Sequence, residues 1–209
     1  MADTIHPEPP MDGRSLRSVR TRRTVIEAFI DLLNEGEEHP TSQQVADRSG
    51  VSPSTIFRLF EDLDGMYAEA LSIQVERVAE LLAPIPLDGT IEERVERQVG
   101  ARSRLYERAA PLLRFQSRMI TSSPGARSNR LTANAFFRAE LTRLFADELS
   151  TAPEGTIDAI DAFTSWEVWE RLRTTQGLSI QLAEKMIRGW IVSALEPGEC
   201  HDPEGMGRG

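Results

Sequence analysis

Polar side chains suited to binding phosphate and base edges are concentrated between residues 41 and 60, which read TSQQVADRSGVSPSTIFRLF. Hydroxyl residues stand before each of two short helical patterns, and Arg58 lies near the end of the second. Hydroxyls and the free N–H groups of a helix N-terminus bind phosphate oxygens, and arginine binds phosphate or the edge of guanine. The segment therefore predicts a DNA-binding surface.

Catalytic chemistry is not predicted anywhere in this sequence. We find no Ser/His/Asp set, no metal-ligand cluster and no phosphate-binding loop. His6, His39 and His201 are far apart in the chain, and the single cysteine, Cys200, lies in a Pro/Gly-rich tail. We therefore expect no enzymatic activity, no bound metal and no cofactor, and Cys200 is interpreted as an idle surface thiol.

The spacing within residues 41–60 predicts a helix-turn-helix. Ala46 is small enough to let two helices approach, and Gly50, four residues later, can adopt the positive φ that the turn requires. Ile56 follows at the spacing that buries the second helix against the first, and the apolar face of the pair comprises Val45, Val51, Ile56 and Leu59. An ordinary helical hairpin is the alternative, since it can share any one of these features.

The charge distribution agrees with DNA binding although the net charge is -9. Within residues 14–60, five arginines precede the first acidic residue, Glu27. Affinity for DNA depends on the patch that meets phosphate, so an acidic total weakens nonspecific binding without excluding specific binding.

Helical periodicity continues through the rest of the chain and predicts an all-α protein of about nine helices. We expect a fourth helix from Asp62 to the prolines Pro84 and Pro86, then a helix opened by a Thr90–Glu93 capping box, in which Pro111 causes a kink or starts the next segment. Further helices are predicted over residues 127–149, 156–176 and 179–195.

The predicted organisation has two domains between unstructured ends. We expect a disordered arm over residues 1–13, a helix-turn-helix domain over 14–62, an effector-binding and dimerisation domain over 63–195, and a disordered tail over 196–209. No apolar run is long enough to span a membrane and no secretory signal is recognisable, so a cytoplasmic location is expected.

Residues 15–80 resemble the tetracycline-repressor (TetR) family of transcription regulators. The resemblance rests on the basic first helix, the Thr41-Ser42 opening of the second, the Ala-x3-Gly-Val-Ser stretch from Ala46, and the aromatic residues Phe57 and Phe60. The stretch SWEVWERLRTTQGLS at 165–179 is similar to an actinobacterial-type branch. The resemblance implies a nine-helix homodimer, usually a repressor that a small-molecule ligand releases from a palindromic operator.

Carried over by position, the resemblance implies these DNA-contacting residues: Arg22, Arg23, Thr41, Ser42, Ser52, Ser54, Thr55, Phe57 and Arg58. Phe57 stands where the family most often has a tyrosine whose hydroxyl reaches phosphate. Leu63 stands where the family commonly has a lysine, and its neighbours Glu61, Asp62 and Asp64 are acidic. This departure keeps open an alternative function, a helical ligand-binding or adaptor protein that has lost strong DNA binding.

The resemblance also implies a ligand pocket among the middle helices, with these candidate lining residues: Phe115, Met119, Phe136, Phe137, Phe163 and Trp166. Packed core is the alternative interpretation of each. Residues 102–143 contain nine arginines against two glutamates. This stretch is interpreted either as a solvated face or as a site for an anionic effector, such as an acyl-CoA or a carboxylate.

The last two helices are expected to form the dimer as a four-helix bundle. The candidate interface residues are Ile157, Ile160, Ile187, Trp190, Ile191 and Leu195, with core packing inside one chain as the alternative. A two-fold dimer would hold its recognition helices about 34–36 Å apart and require a roughly palindromic operator.

Overall fold

The structure is a computed structural model that describes residues 13–60 and 63–196, except for the side chains of residues 13–16, 63 and 64. Of the predicted disordered arm, only residue 13 is described, and it begins the first helix. Of the predicted tail, only Glu196 is described. The described residues form ten α-helices and no strand, which confirms the all-α prediction and comes close to the expected nine helices.

The first half of the chain contains four α-helices and one short 3₁₀ helix. They are α1 (Gly13–Asn34), α2 (Ser42–Ser49), α3 (Pro53–Leu59), α4 (Leu63–Arg77) and the 3₁₀ helix Ala79–Leu82. The predicted fourth helix was too long, because regular α-helix ends at Arg77 and a tighter turn follows it.

The second half contains six α-helices and a π-helical turn. They are α5 (Ile91–Met119), α6 (Pro124–Leu144), α7 (Ala146–Leu149), α8 (Thr156–Phe163), α9 (Trp166–Glu170), the π-helical turn Arg171–Thr175, and α10 (Ile180–Leu195). None of the helices in the described parts of the chain is long and apolar enough to cross a membrane.

Three further expectations about helix boundaries differ from the structure. Pro111 does not start a new segment, because α5 runs through it, and the alternative that it kinks the helix stays a prediction. The helix expected over 156–176 is broken at Thr164, and Ser165 caps the new helix α9 by accepting a hydrogen bond from the Val168 N–H at 3.3 Å. The helix expected over 127–149 begins earlier, at Pro124, and is interrupted at Phe145.

Two buried apolar clusters lie along the chain, and α5 contributes to both. The first joins α1 to α4 with the end of α5, where the Phe115 ring meets the Phe29 ring edge-to-face at 5.2 Å. The second joins the start of α5 to α6–α10 around Trp166 and Trp169. Because one 29-residue helix spans both cores, a displacement of α5 must change the packing of both. The domain boundary predicted at residues 62 and 63 stays a prediction.

Candidate DNA-binding surface and ligand cavity

The turn between α2 and α3 is built as the sequence predicts. Gly50 ends α2 at φ 68°, and its N–H donates to the Ala46 carbonyl at 2.9 Å. Val45 and Ile56 are fully buried between the helices, while Val51 and Leu59 are partly buried against the same core. These contacts fix α3 relative to α2, so the outward face of α3 is held rigidly for recognition of a partner.

A cluster of hydroxyls lies at the N-terminus of α3. Ser52 is the N-cap, and its Oγ accepts a hydrogen bond from the Thr55 N–H at 3.4 Å. The same oxygen lies 3.2 Å from the Ser54 Oγ and 3.0 Å from the Thr55 Oγ1. Ser54 is exposed at the helix end, where the positive end of the helix dipole also favours an anion such as phosphate.

Phe57 and Arg58 project from α3 into solvent. The Phe57 ring is 62% exposed, although a free apolar ring is disfavoured in water. Arg58 forms no ion pair with any residue that the structure describes, so within that part of the chain its guanidinium is available to a partner. An unpaired arginine beside an exposed ring suits contact with a nucleic acid.

The two arginines predicted on α1 differ in availability. Arg22 pairs with Glu69 of α4 through Nε and stacks over the ring of Phe60 at 4.7 Å, so it joins α1 to α4 and to the residue that caps the C-terminus of α3. Arg23 is more exposed and pairs only with Glu27, one helical turn away, at 3.1 Å. The structure therefore leaves Arg23 freer than Arg22 to reach a phosphate.

Thr41 caps α2, and Ser42 is its first residue. The Thr41 Oγ1 accepts from the Gln44 N–H at 3.2 Å, and the Thr41 N–H donates to Gln44 Oε1 at 2.8 Å, which completes a capping box. Gln44 also donates to Glu37 at 2.7 Å. The His39 N–H and this Gln44 amide hold the pKa of Glu37 below its ordinary value. The N-terminus of α2 is thereby attached to the preceding loop.

The loop before α2 is also tied to the end of α5, a link that sequence reasoning missed. Arg118 donates to the Glu38 carbonyl at 2.7 Å and lies 3.6 Å from the Glu38 carboxylate. The only sequence signal was the high arginine content of 102–143, which does not identify partners. Through this contact, α5, which packs with α6–α10, also contacts the loop that precedes the helix-turn-helix.

A cavity of about 450 Å³ lies between α4, α5, α6 and α9. Phe136, Phe137 and Trp166, three of the predicted pocket residues, line it. Phe115 does not, because it packs in the N-terminal core, and Met119 packs against that core too. Phe163 also lies elsewhere, 5.5 Å from the Trp190 ring. The sequence shows that these residues are apolar, but only the fold shows which of them line the cavity and which pack in a core.

The walls of this cavity are mainly apolar, with aliphatic residues Leu71, Val75, Val78, Leu105 and Leu113. Its volume and apolar character suit a small hydrophobic molecule. These five aliphatic residues were not among the predicted pocket residues, because α4, the residue after it and α5 contribute them from distant parts of the chain.

One end of the cavity wall is a hydrogen-bonded polar network around Arg130, which is only 6% exposed. Arg130 pairs with Glu167 and donates to Gln116 at 2.9 Å and to Ser117 at 3.2 Å. The indole N–H of Trp166 donates to the same Ser117 hydroxyl at 3.2 Å. Every nitrogen of the guanidinium has a partner, so Arg130 fixes α6 against α5 and α9 and offers no free charge.

Pairing is general among the nine arginines of residues 102–143. Six of them form ion pairs with carboxylates: Arg102, Arg108, Arg114, Arg118, Arg130 and Arg138. Arg127 and Arg143 donate to backbone carbonyls instead. The stretch therefore is not a continuous field of free positive charge.

The predicted dimer residues divide by exposure. Ile160, Ile187, Ile191 and Leu195 are each at most 4% exposed within one chain and pack in the core between α8, α10 and α5, as the alternative interpretation of these residues expects. Ile157 and Trp190 are only partly buried. The outward face of α10 carries a different set of residues: Leu182, Lys185, Gly189 and Ser193.

No protein-family model matches the sequence, and no curated protein is significantly similar to it. Solved structures do match the fold. A transcriptional regulator from Rhodococcus sp. Rha1 superposes with a TM-score of 0.64 at 18% identity, covering 85% of this chain and 95% of that chain. A protein described as a TetR-family transcriptional regulator from Mesorhizobium loti superposes with a TM-score of 0.60 at 15% identity, covering 86% of this chain and 96% of that chain. The chain therefore has a TetR-like fold.

Proposed function

We propose that the protein is a DNA-binding transcriptional regulator, a ligand-responsive repressor that binds a palindromic operator as a homodimer. The observation that carries this proposal is the outward face of α3, where Phe57 and Arg58 are exposed while Ile56 is buried. The Rhodococcus and Mesorhizobium proteins are both described as transcriptional regulators, which supports the same role here.

Recognition would use α3 in the major groove of the operator. Ser54 and Thr55 at its N-terminus can hydrogen-bond base edges or meet a thymine methyl group, and Arg58 can bind guanine or phosphate. Thr41 and Ser42 open α2, whose N-terminal N–H groups favour a flanking phosphate. Arg23 adds charge beside the same backbone. Because hydroxyls discriminate poorly between bases, we expect Arg58 to contribute most of the selectivity if it binds guanine.

A homodimer would present two copies of α3 to the two halves of the operator. The outward face of α10 is the part of the predicted interface that a partner can reach, since it includes Leu182, 45% exposed, and the side-chain-free Gly189. Small and apolar residues on one helix face allow close packing against a second copy.

Release by a ligand would begin in the cavity between α4, α5, α6 and α9. The N-terminal half of α4 is linked through Arg22 to α1 and to the residue that caps α3, and α5 is linked to the loop before α2 through Arg118. A ligand that separates α4 from α5 would therefore shift the helix-turn-helix in each subunit. Such a shift changes the spacing of the two α3 helices and lowers operator affinity.

The test is selection of bound fragments from random or genomic DNA by the purified full chain. We expect a palindromic motif, and we expect Arg58→Ala to weaken binding to it by about 10- to 100-fold, as for the loss of one strong base contact. Arg171→Ala is the matched control, because Arg171 is an exposed arginine on the π-helical turn. It should leave operator binding and folding unchanged.

The alternative function is a helical ligand-binding or adaptor protein without strong DNA binding. The acidic residues Glu61, Asp62 and Asp64, directly after α3 in sequence, favour it because they would repel phosphate. If the folded, dimeric protein selects no motif at low salt, the regulator proposal is wrong and this alternative replaces it.

A further inference from the structure

Arg102 on α5 is a buried cation with an unusual environment. Its side chain is 7% exposed, and its guanidinium lies over the face of the Phe137 ring, 3.6 Å from the ring centroid. One of its terminal nitrogens, Nη1, donates to the Tyr106 hydroxyl at 3.4 Å. That hydroxyl donates in turn to the Thr164 carbonyl at 2.9 Å. The stacking and hydrogen bond hold the guanidinium in one orientation.

The other terminal nitrogen of Arg102 is unsatisfied. Nη2 is buried and has no hydrogen-bond partner among the described residues. The nearest carboxylate oxygen, Glu140 Oε2, lies 3.9 Å away, which allows Coulomb attraction but no hydrogen bond. Burying a cation whose N–H groups lack hydrogen-bond partners raises the free energy of the folded protein. A ligand atom that accepts a hydrogen bond from Nη2 would lower it again.

Arg102 lines a second, smaller cavity of about 150 Å³. Tyr106, Asn134 and Phe137 line this cavity and also the apolar cavity of about 450 Å³, so the two adjoin. Aliphatic and aromatic residues dominate the larger cavity, whereas Asn134, Asp158, Asp161, Arg138 and Arg102 make the smaller one polar. An apolar cavity therefore lies next to a polar one, and the side chains of Tyr106, Asn134 and Phe137 border both.

The other charges at the smaller cavity have partners. Arg138 pairs with Asp158 at 2.8 Å and with Asp161 at 3.6 Å, so these three groups largely satisfy one another. Arg102 and Glu140 are the loosely paired groups that remain. A ligand carboxylate that accepts directly from Nη2 would compete successfully with Glu140, because two parallel N–H···O bonds to a guanidinium are stronger than a separated ion pair.

We propose that the effector is an amphipathic carboxylate whose apolar body fills the larger cavity and whose carboxylate binds Arg102 in the smaller one. This proposal deepens the proposed function, since it rests on the cavity being the effector site. The apolar walls select a hydrocarbon chain or ring, and Arg102 selects the terminal acid.

The test is titration of the full chain with matched pairs of acids and alcohols: decanoate with decanol, and 4-phenylbutyrate with 4-phenylbutanol. Binding is followed by calorimetry and by tryptophan fluorescence, to which Trp166 in the wall of the larger cavity contributes alongside Trp169 and Trp190. We expect at least one acid to bind about 10- to 100-fold more tightly than its alcohol, the range for a hydrogen bond to a charged group. Equal binding of acid and alcohol, or no binding of either acid, would overturn the proposal.

Arg102→Gln should abolish the preference for the acid and leave the affinity for the alcohol unchanged. A purely structural role for Arg102 would instead weaken both ligands together. Arg104→Gln, at an exposed arginine on the same helix, should change neither affinity. If Arg102→Gln does not fold, Arg102→Lys keeps the charge and loses the planar fork, and a retained full preference for the acid would contradict the proposal.

The titration contains no DNA, so its result is independent of operator binding. If the acid binds through Arg102 but no operator is selected, the ligand site stands and the regulator function fails. If an operator is selected but acids and alcohols bind alike, the regulator function stands and the effector class is wrong.

Discussion

Phe57 shows what a single exposed ring contributes to the candidate DNA-binding surface. Its side chain is 62% exposed, whereas the neighbouring Phe60 is 2% exposed and packs in the core beneath Arg22. Phe57 therefore contributes little to the stability of the fold, and its position is free to serve a partner. The resemblance to the TetR family implies that a tyrosine most often stands at this position, and its hydroxyl can donate to a phosphate oxygen.

Phe57→Tyr is expected to raise operator affinity by about 3- to 10-fold, because it adds one hydrogen bond to a charged acceptor without removing the ring. The measurement is a fluorescence-anisotropy titration with the selected operator at fixed salt. Thermal stability should not change, because the ring is mostly in solvent. An affinity equal to or below that of the original protein would mean that position 57 does not reach the backbone.

At the scale of elements, hydrogen bonds to Glu107 connect α5 with α9 and with the π-helical turn that follows it. The Arg173 guanidinium donates to Glu107 at 2.8 Å from Nε, and the Trp169 indole N–H donates to the same carboxylate oxygen at 3.0 Å. The hydrogen bond from Arg173 holds the pKa of Glu107 below its ordinary value, against the effect of burial. One carboxylate therefore joins α5, α9 and the π-helical turn.

Glu107→Gln is expected to lower the free energy of unfolding at pH 7 by about 1–2 kcal/mol, a modest value because the pair is partly exposed. Since the folded-state pKa is lowered, this stabilisation is present above the ordinary carboxyl pKa and is lost as the pH falls through the folded-state value. The difference between the two proteins should thus shrink below about pH 4. Urea denaturation at several pH values measures it, and a constant difference would contradict the assignment.

At the scale of the whole molecule, the outward face of α10 is where the proposed homodimer would pack. Gly189 lies on this face, is exposed, and has open space where a side chain would project. In a separate chain a larger residue there would be tolerated, and it would favour the helix because glycine is a poor helix former. In a dimer that packs through this face, the same residue would meet the partner.

Gly189→Glu is therefore expected to make an isolated chain more stable by about 0.5–1 kcal/mol while driving the dimer to monomer, because two charges would be buried at a two-fold interface. Sedimentation equilibrium measures the association, and thermal unfolding of the monomer measures the stability. Ser72→Glu adds the same charge at an exposed position on α4 and should leave the dimer intact. A Gly189→Glu protein that dimerises normally would place the interface elsewhere.

Local features were readable from the sequence because they depend on residues close together in the chain. The capping boxes at Thr41 and Thr90 and the positive φ of Gly50 follow from side-chain hydrogen bonds and backbone sterics within a few residues. The same short spacing placed Val45 and Ile56 in the core of the helix-turn-helix. The all-α class and the local geometry of the helix-turn-helix were therefore determined by the sequence alone.

Only the tertiary structure decided what covers each apolar face and what pairs with each charge. Periodicity marked Phe115 and Ile187 as apolar, but packing of distant helices put both in the core of one chain. The sequence does not show that Arg22 pairs with Glu69 of α4. It also does not show that Arg102 stacks on Phe137 and lines a cavity. These assignments depend on contacts between residues far apart in the chain, whereas spacing along a helix specifies only which residues share a face.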